Sequence, residues 1–399
     1  MGVIGQGPLK GFYAPDYDGG SIVNLLSSII RSRGGQSPHS ELAVLPASAL
    51  AGFRKVVYLV VDGMGELQLE RYLEAGGGRE FLAANRRHTL TTVYPATTAA
   101  AVSTFGTGAS PLEHALIGWY VNLVDLGIVS TILLARTRTE VPIAGPDFKF
   151  AEYLRLPSYI DSTRGIRELL SFGQIPWSKF SLAVGQWHRR WAFGTLAGMV
   201  RQIAAFARRP ESGTAYAYWP GYDTYCHEHG CDHPKTNRHL DAIDRALAGL
   251  SERMRGTGAA LLVTADHGLV DSIPEHRIEL RDVPGFIGCL ATLPAGDSRQ
   301  VQCFVRPSRV KTFLDLVRRR LGKACVCVPG EVLLSSGLLG PGEPHPALAG
   351  RVGDFVLVAK DDYAFAASLP GAPSLFNVAN HGGMSAREMR VPLYVAGTA

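Results

Sequence analysis

Two apolar runs, KVVYLVV at residues 55–61 and AALLVT at 259–264, each stop at an acidic turn, Asp62-Gly63 in the first case and Asp266-His267-Gly268 in the second. A run of six or seven residues without polar alternation reads as a strand buried on both faces, the kind found in a parallel sheet covered by helices. The same strand-then-helix unit recurs along the chain. SGTAYAYWPGYD ends a strand near Tyr218, and the helical spacing of Leu240, Ile243, Leu247 and Leu250 follows over His239 to Arg255. HTLTTVYPATTAAAVSTFGTG breaks at Pro95 and continues as a helix of small residues to Thr107, and HGGMSAREMRVPLYVAG leads through His381 to a short helix and a closing strand. This alternation predicts an α/β fold, a doubly wound, mostly parallel sheet with helices on both faces, whose binding crevice lies outside the carboxyl ends of the strands. Asp62, Asp223, Asp266 and His267 all fall at that edge.

Between residues 284 and 350 the chain carries its own pattern: VQCFVRP as a strand, VKTFLDLVRRRLG as a helix, then CVCVP and a Pro/Gly-rich stretch. This predicts a smaller inserted α/β subdomain at 284–350 within a main domain formed by 1–283 and 351–399. Residues 121–210, rich in Arg and aromatics around WHRRWAFG (187–194), form a second candidate insertion able to cover the site. A chain of 399 residues that is 46% hydrophobic and 19% charged has ample material for such a core, which excludes disorder.

Charge narrows the partners. The net charge of +5 suits a small anionic substrate, and no basic tract exceeds Arg318–Arg320 with Lys323, so no nucleic-acid-binding motif is present. The first thirty residues carry no secretory pattern and no apolar run reaches spanning length, so the expectation is a cytoplasmic protein without membrane attachment. The six cysteines are too few and too closely paired, as in Cys226/Cys231 and Cys325/Cys327, for a secreted disulfide framework. Nothing in the sequence indicates an oligomeric state.

The strand-end acids and imidazoles suggest metal chemistry. Zinc takes His nitrogen and carboxylate oxygen, and two ions about 4 Å apart clamp the attacking and leaving oxygens of a phosphoryl transfer. Asp223 and His227 form D-x-x-x-H, which closes on one ion when the intervening residues start a helix; the adjacent Asp266 and His267 serve a second ion or one ion each. Asp62 alone reads more readily as a turn former or helix cap than as a ligand, and His381 before Gly382-Gly383 also reads as a helix lead-in. Thr97 and Thr98 follow Pro95 at the start of a helix whose free amides favour a phosphate oxygen, so one of them is a candidate nucleophile and the other a cap. C-H-E-H-G-C-D-H, from Cys226 to His233, lacks the spacing of a regular zinc finger, so His229 and His233 are expected at the pocket rim.

In order, Asp62-Gly63, Pro95 and Thr98 leading to Thr107-Gly108 and Pro111–His114, Asp223 with His227, Asp266-His267-Gly268 and His381-Gly382-Gly383 resemble the alkaline phosphatase superfamily, and within it the type I phosphodiesterase/nucleotide pyrophosphatase branch. The resemblance spans residues 55 to 395. It implies two zinc ions, other divalent cations being possible: one held by Asp223, His227 and His381, the other by Asp62, Asp266, His267 and the nucleophile. It also selects Thr98, which lies three residues after Pro95 and ten before Gly108, as the branch's nucleophile does. Where the branch has a bulky aromatic and a phosphate-binding Asn, this chain has Ala99 and Trp119; Asn122 stands nearby as a replacement amide, and Tyr218 matches the position that stacks on a base. Nucleotide recognition is therefore open. Thr98 lacks the C/S-x-P-x-R setting of sulfatases and stands where the cofactor-independent phosphoglycerate mutases have Ser. The implied activity is hydrolysis of a phosphate ester, foremost a diester, through a covalent phosphothreonine. Monoester or phosphonate hydrolysis at the same site, or a non-catalytic metal-stabilised binding protein, are the alternatives.

Overall fold

The computed structural model describes residues 2–85, 87–143, 148–369, 371–372 and 376–397. Its centre is a seven-stranded sheet in the order Arg87–Thr91, Arg390–Ala396, Ala259–Thr264, Lys55–Val61, Gly213–Trp219, Ile166–Phe172, Arg189–Phe193. Every pairing is parallel except the two made by Arg390–Ala396. All residues of Lys55–Val61, Gly213–Trp219 and Ala259–Thr264 are buried, so both faces of the sheet are covered. The lack of alternation in their sequences has this cause.

Helices supply the cover. Pro234–Met254 buries Leu240, Ile243, Leu247 and Leu250 and packs on Leu196–Arg208. Thr98–Thr107 is buried at all ten positions, which its Thr, Ala, Ser and Gly side chains allow by letting neighbouring elements approach closely. Val60 pairs with both Tyr218 and Thr264, so the carboxyl ends of the three central strands lie level. Whatever follows Val61, Trp219 and Thr264 is delivered to one rim.

A second seven-stranded sheet, antiparallel throughout, runs in the order Cys325–Pro329, Phe355–Ala359, Gln300–Cys303, Ala295–Asp297, Tyr120–Leu123, Ile128–Thr131, Arg136–Thr137. It therefore draws on chain to both sides of the expected 284–350 segment. The reading of 121–210 as an insertion needs correction: its start forms strands of this second sheet, while Ile166–Phe172 and Arg189–Phe193 are the last two strands of the central one, Arg189–Phe193 at its edge. IRELLSF and RRWAF look too polar for a core sheet, but the buried Glu168 is paired with Arg189 (3.2 Å) and Arg209 and accepts from Trp191 Nε1 at 2.8 Å. Among the described residues, no helix is long and apolar enough to cross a membrane.

The sheets are joined by a buried ion pair. Arg299, fully buried beside the Gln300–Cys303 strand, donates to Glu388 at 2.8 Å. Glu388 in turn accepts from the Gly383 and Ser385 amides (2.7 and 3.0 Å), fixing the turn just after His381. Removing one partner of such a pair strands a buried charge. Glu388→Ala is accordingly expected to lower unfolding stability by about 3–5 kcal/mol, measured by urea denaturation; a loss under about 1 kcal/mol would contradict this role for the pair.

Candidate metal centre and active site

The site assembles from turns that follow the central strands. Asp62 comes one residue past Val61, its amide bonded to the Trp219 carbonyl at 2.9 Å. Gly63 then takes a φ of +74°, and a β-carbon there would lie 2.7 Å from Leu269 Cδ1 and 3.0 Å from Asp223 Cβ. Only glycine lets the three turns meet this closely. The Gly63 amide donates to Asp266 Oδ1 at 3.0 Å, tying the first turn to the third.

Asp223 and His227 stand one turn apart on the helix Gly221–His229, with Oδ2 and Nε2 3.1 Å apart. The other ring nitrogen of His227 bonds the Ala379 carbonyl at 2.7 Å. His267 repeats the arrangement, with Nδ1 3.1 Å from the Gly268 carbonyl. A carbonyl can only accept, so in each ring Nδ1 carries a proton and Nε2 is the atom turned toward the carboxylates, the orientation that metal-ligating histidines take. His267 Nε2 lies 3.5 Å from both Asp62 Oδ1 and Asp266 Oδ2, and 3.0 Å from Thr98 Oγ1. His381 arrives from the far end of the chain and stacks on His267 with ring centroids 3.9 Å apart; His227 is 5.3 Å away.

Among the described residues, two groups have ligand atoms mutually within 4.8 Å: Asp223, His227 and His381, and Asp62, Asp223 and His267. Asp223 belongs to both. The first group is the one the resemblance implied; in the second, Asp223 stands where Asp266 was expected, although Asp266 remains in reach of His267. Asp62 Oδ1, Asp223 Oδ1, Asp266 Oδ2 and His381 Nδ1 are buried without a hydrogen-bond partner. Orphaned acceptors of this kind, converging from separate turns, fit a cation.

Electrostatics point the same way. Burial, with the charges of Asp266 and Asp223 added, holds the Asp62 carboxyl well above the usual range. Burial pushes Asp223 up too, but His227 outweighs it and holds the carboxyl well below its ordinary value. Against its own burial, His227 is raised to about 9 by Asp223. Burial and His267 drive His381 far below an ordinary imidazole, so it is neutral and available as a ligand.

Thr98 opens the ten-residue helix Thr98–Thr107, whose first amides lack partners within the helix. Thr97, the preceding residue, makes no capping bond; its hydroxyl donates to Asp297. Asp297 was not foreseen. It sits half-buried at the end of a three-residue strand of the second sheet, with its carboxylate 3.9 Å from His381 Nδ1. Its neighbours in sequence, Gly296 and Ser298, read as a plain turn and gave no signal.

A cavity of about 1270 Å³ opens onto Asp62, Thr98, Asp223, His227 and His381. Tyr218 and Trp119 line it, but the Tyr218 hydroxyl donates to Asp62. Asn122 does not line it, although Tyr120, two positions earlier on the same strand face, does: the Asn122 amide reaches instead toward the Gly350 carbonyl at 3.4 Å. His229 and His233 are likewise absent from the lining; their rings pack together 5.2 Å apart, and His233 caps the next helix. Cys226 and Cys231 are buried free thiols outside both donor groups.

No curated protein matches the sequence. Solved structures do match in fold. Murine ectonucleotide pyrophosphatase/phosphodiesterase 5 aligns with a TM-score of 0.60 at 15% identity, over 86% of this chain and 88% of its own. Phosphonoacetate hydrolase from Sinorhizobium meliloti 1021, in complex with phosphonoformate, gives 0.65 at 16% identity, over 87% and 91%. The human ectonucleotide pyrophosphatase/phosphodiesterase 5 gives 0.56 at 13%, over 86% and 88%. The family described as type I phosphodiesterase/nucleotide pyrophosphatase matches residues 56–384, from the first central strand to the turn after His381, and the chain belongs to that family of phosphoric ester hydrolases.

Proposed function

We propose that the protein is a two-zinc phosphodiesterase in which Thr98 attacks phosphorus and carries a covalent phosphothreonine. The observation that carries this reading is the position of Thr98 Oγ1: at a helix N-terminus, 3.0 Å from His267 Nε2, in the cavity that Asp62, Asp223, His227 and His381 also line. Asp223, His227 and His381 would hold one ion, and Asp62, Asp266 and His267 with Thr98 the other. When bound, divalent cations lower the pKa of a coordinated hydroxyl and offset charge on phosphoryl oxygens.

The protein's own groups do the rest. His267, fixed through the Gly268 carbonyl, orients the Thr98 hydroxyl. The unpartnered amides at the start of the Thr98 helix face the non-bridging phosphoryl oxygens and favour their growing negative charge. Asp297 restrains Thr97, and with it the backbone that presents Thr98. As the Thr98 Oγ–P bond forms, the bond from phosphorus to the leaving oxygen breaks and that oxygen takes up a proton. Water oxygen then attacks phosphorus, the Thr98 Oγ–P bond breaks, and Thr98 regains its proton.

Zinc-reconstituted protein should hydrolyse bis-p-nitrophenyl phosphate. Thr98→Ala is expected to cut turnover by about 10³-fold or more while keeping its metal by plasma mass spectrometry; near-normal turnover in that variant defeats the assignment. His227→Ala should reduce bound zinc from about two ions to about one per chain, and unchanged stoichiometry would remove His227 from the ligand set.

A further inference from the structure

We infer that the substrate carries, beside its reacting phosphate, a large apolar group such as a long alkyl or isoprenoid chain; this rests on the reading of Thr98 as nucleophile only for where the phosphate sits. The cavity's volume of about 1270 Å³ exceeds the roughly 300–1,000 Å³ usual for small-molecule sites. All of its Asp and His side chains, Asp62, Asp223, His227, Asp297 and His381, are gathered at the Thr98 end. From there the wall follows the same helix through Val102 and Gly106 and is continued by Leu169, Phe180, Val184 and Trp187.

The mouth is apolar as well. Leu134, Phe172, Ile175 and Trp177 line it while remaining 52%, 38%, 37% and 46% exposed. Large side chains left in water around one opening mark a surface meant to be covered. An apolar cavity wall leading from a reactive centre is covered most favourably by the hydrocarbon part of the molecule that reacts there.

The alternatives need charges that the lining does not provide. A second phosphate or a carboxylate on the substrate calls for a cation, and Arg138 is the only Lys or Arg among the described lining residues. Its guanidinium donates to the Pro294 carbonyl at 2.9 Å and the Ala367 carbonyl at 2.6 Å, and its face lies 4.0 Å from the Tyr120 ring centroid. The other charged group near the opening is Glu140, which disfavours a polyanion. A phosphodiester bearing one negative charge and a hydrocarbon chain meets all of these conditions.

The test titrates zinc-loaded protein calorimetrically with butyl, octyl and dodecyl phosphate and with adenosine monophosphate, below micelle-forming concentrations, alongside turnover of bis-p-nitrophenyl phosphate. Each methylene taken from water tightens binding severalfold, so affinity should rise about 100-fold or more from butyl to dodecyl, with the nucleotide weaker than dodecyl phosphate. Trp177→Ala, at an exposed position the fold does not need, and Leu134→Asp should each shrink the dodecyl-to-butyl ratio by about fivefold or more with zinc content unchanged. A flat chain-length series, tighter binding of the nucleotide, or a ratio indifferent to both variants overturns the inference. Absent turnover with a steep chain-length series would instead overturn the catalytic reading and uphold the apolar subsite.

Discussion

Three buried carboxylates, Asp62, Asp223 and Asp266, meet at one rim of the central sheet, and their mutual repulsion in a desolvated setting is the constraint around which the rest of the structure is arranged. Charges out of water are tolerated only with compensation. The nearby side chains provide some: His227 pairs with Asp223, and Tyr218 donates to Asp62. Four ligand-type atoms among the described residues, on Asp62, Asp223, Asp266 and His381, are nevertheless left without a partner, and the turns and the helix that carry them are anchored by their own hydrogen bonds. Held in place from behind and unsatisfied in front, they form a receptacle for positive charge. The Thr98 hydroxyl lies within this receptacle rather than beside it.

Much of the arrangement could be read from the amino-acid order, because a parallel sheet writes itself plainly. KVVYLVV and AALLVT cannot alternate when both faces are covered, and the residue after each run must emerge at the carboxyl edge. Asp62, Asp266 and His267 were legible for that reason, and His227 because four residues on a helix make one turn. His381 was placed by the resemblance, since nothing local distinguishes its turn from any other His-Gly-Gly.

What escaped reading came from tertiary pairing. The outer strands IRELLSF and RRWAF hide their strand character behind charges that cancel only once Glu168 meets Arg189 and Arg209 in space. Asp297 reaches the site from the antiparallel sheet, on a strand too short to show a period. Asn122 shares a strand face with Tyr120 of the cavity wall, but its amide turns to the Gly350 carbonyl, a partner far along the chain that the local sequence does not announce. The second sheet thus gives the site a carboxylate, through Asp297, and a brace, through Arg299 and Glu388, and it adds Tyr120, Arg138 and Ala295 to the cavity wall.

The central claim is that the rim exists to hold cations against Thr98, and anomalous diffraction from crystals grown with zinc, collected on both sides of the zinc absorption edge, tests it most directly. The account predicts two anomalous peaks in the cavity, one among Asp223, His227 and His381 and one touching Asp62, His267 and the Thr98 hydroxyl. A rim without anomalous density, or zinc found only at Cys226 and Cys231, would contradict it.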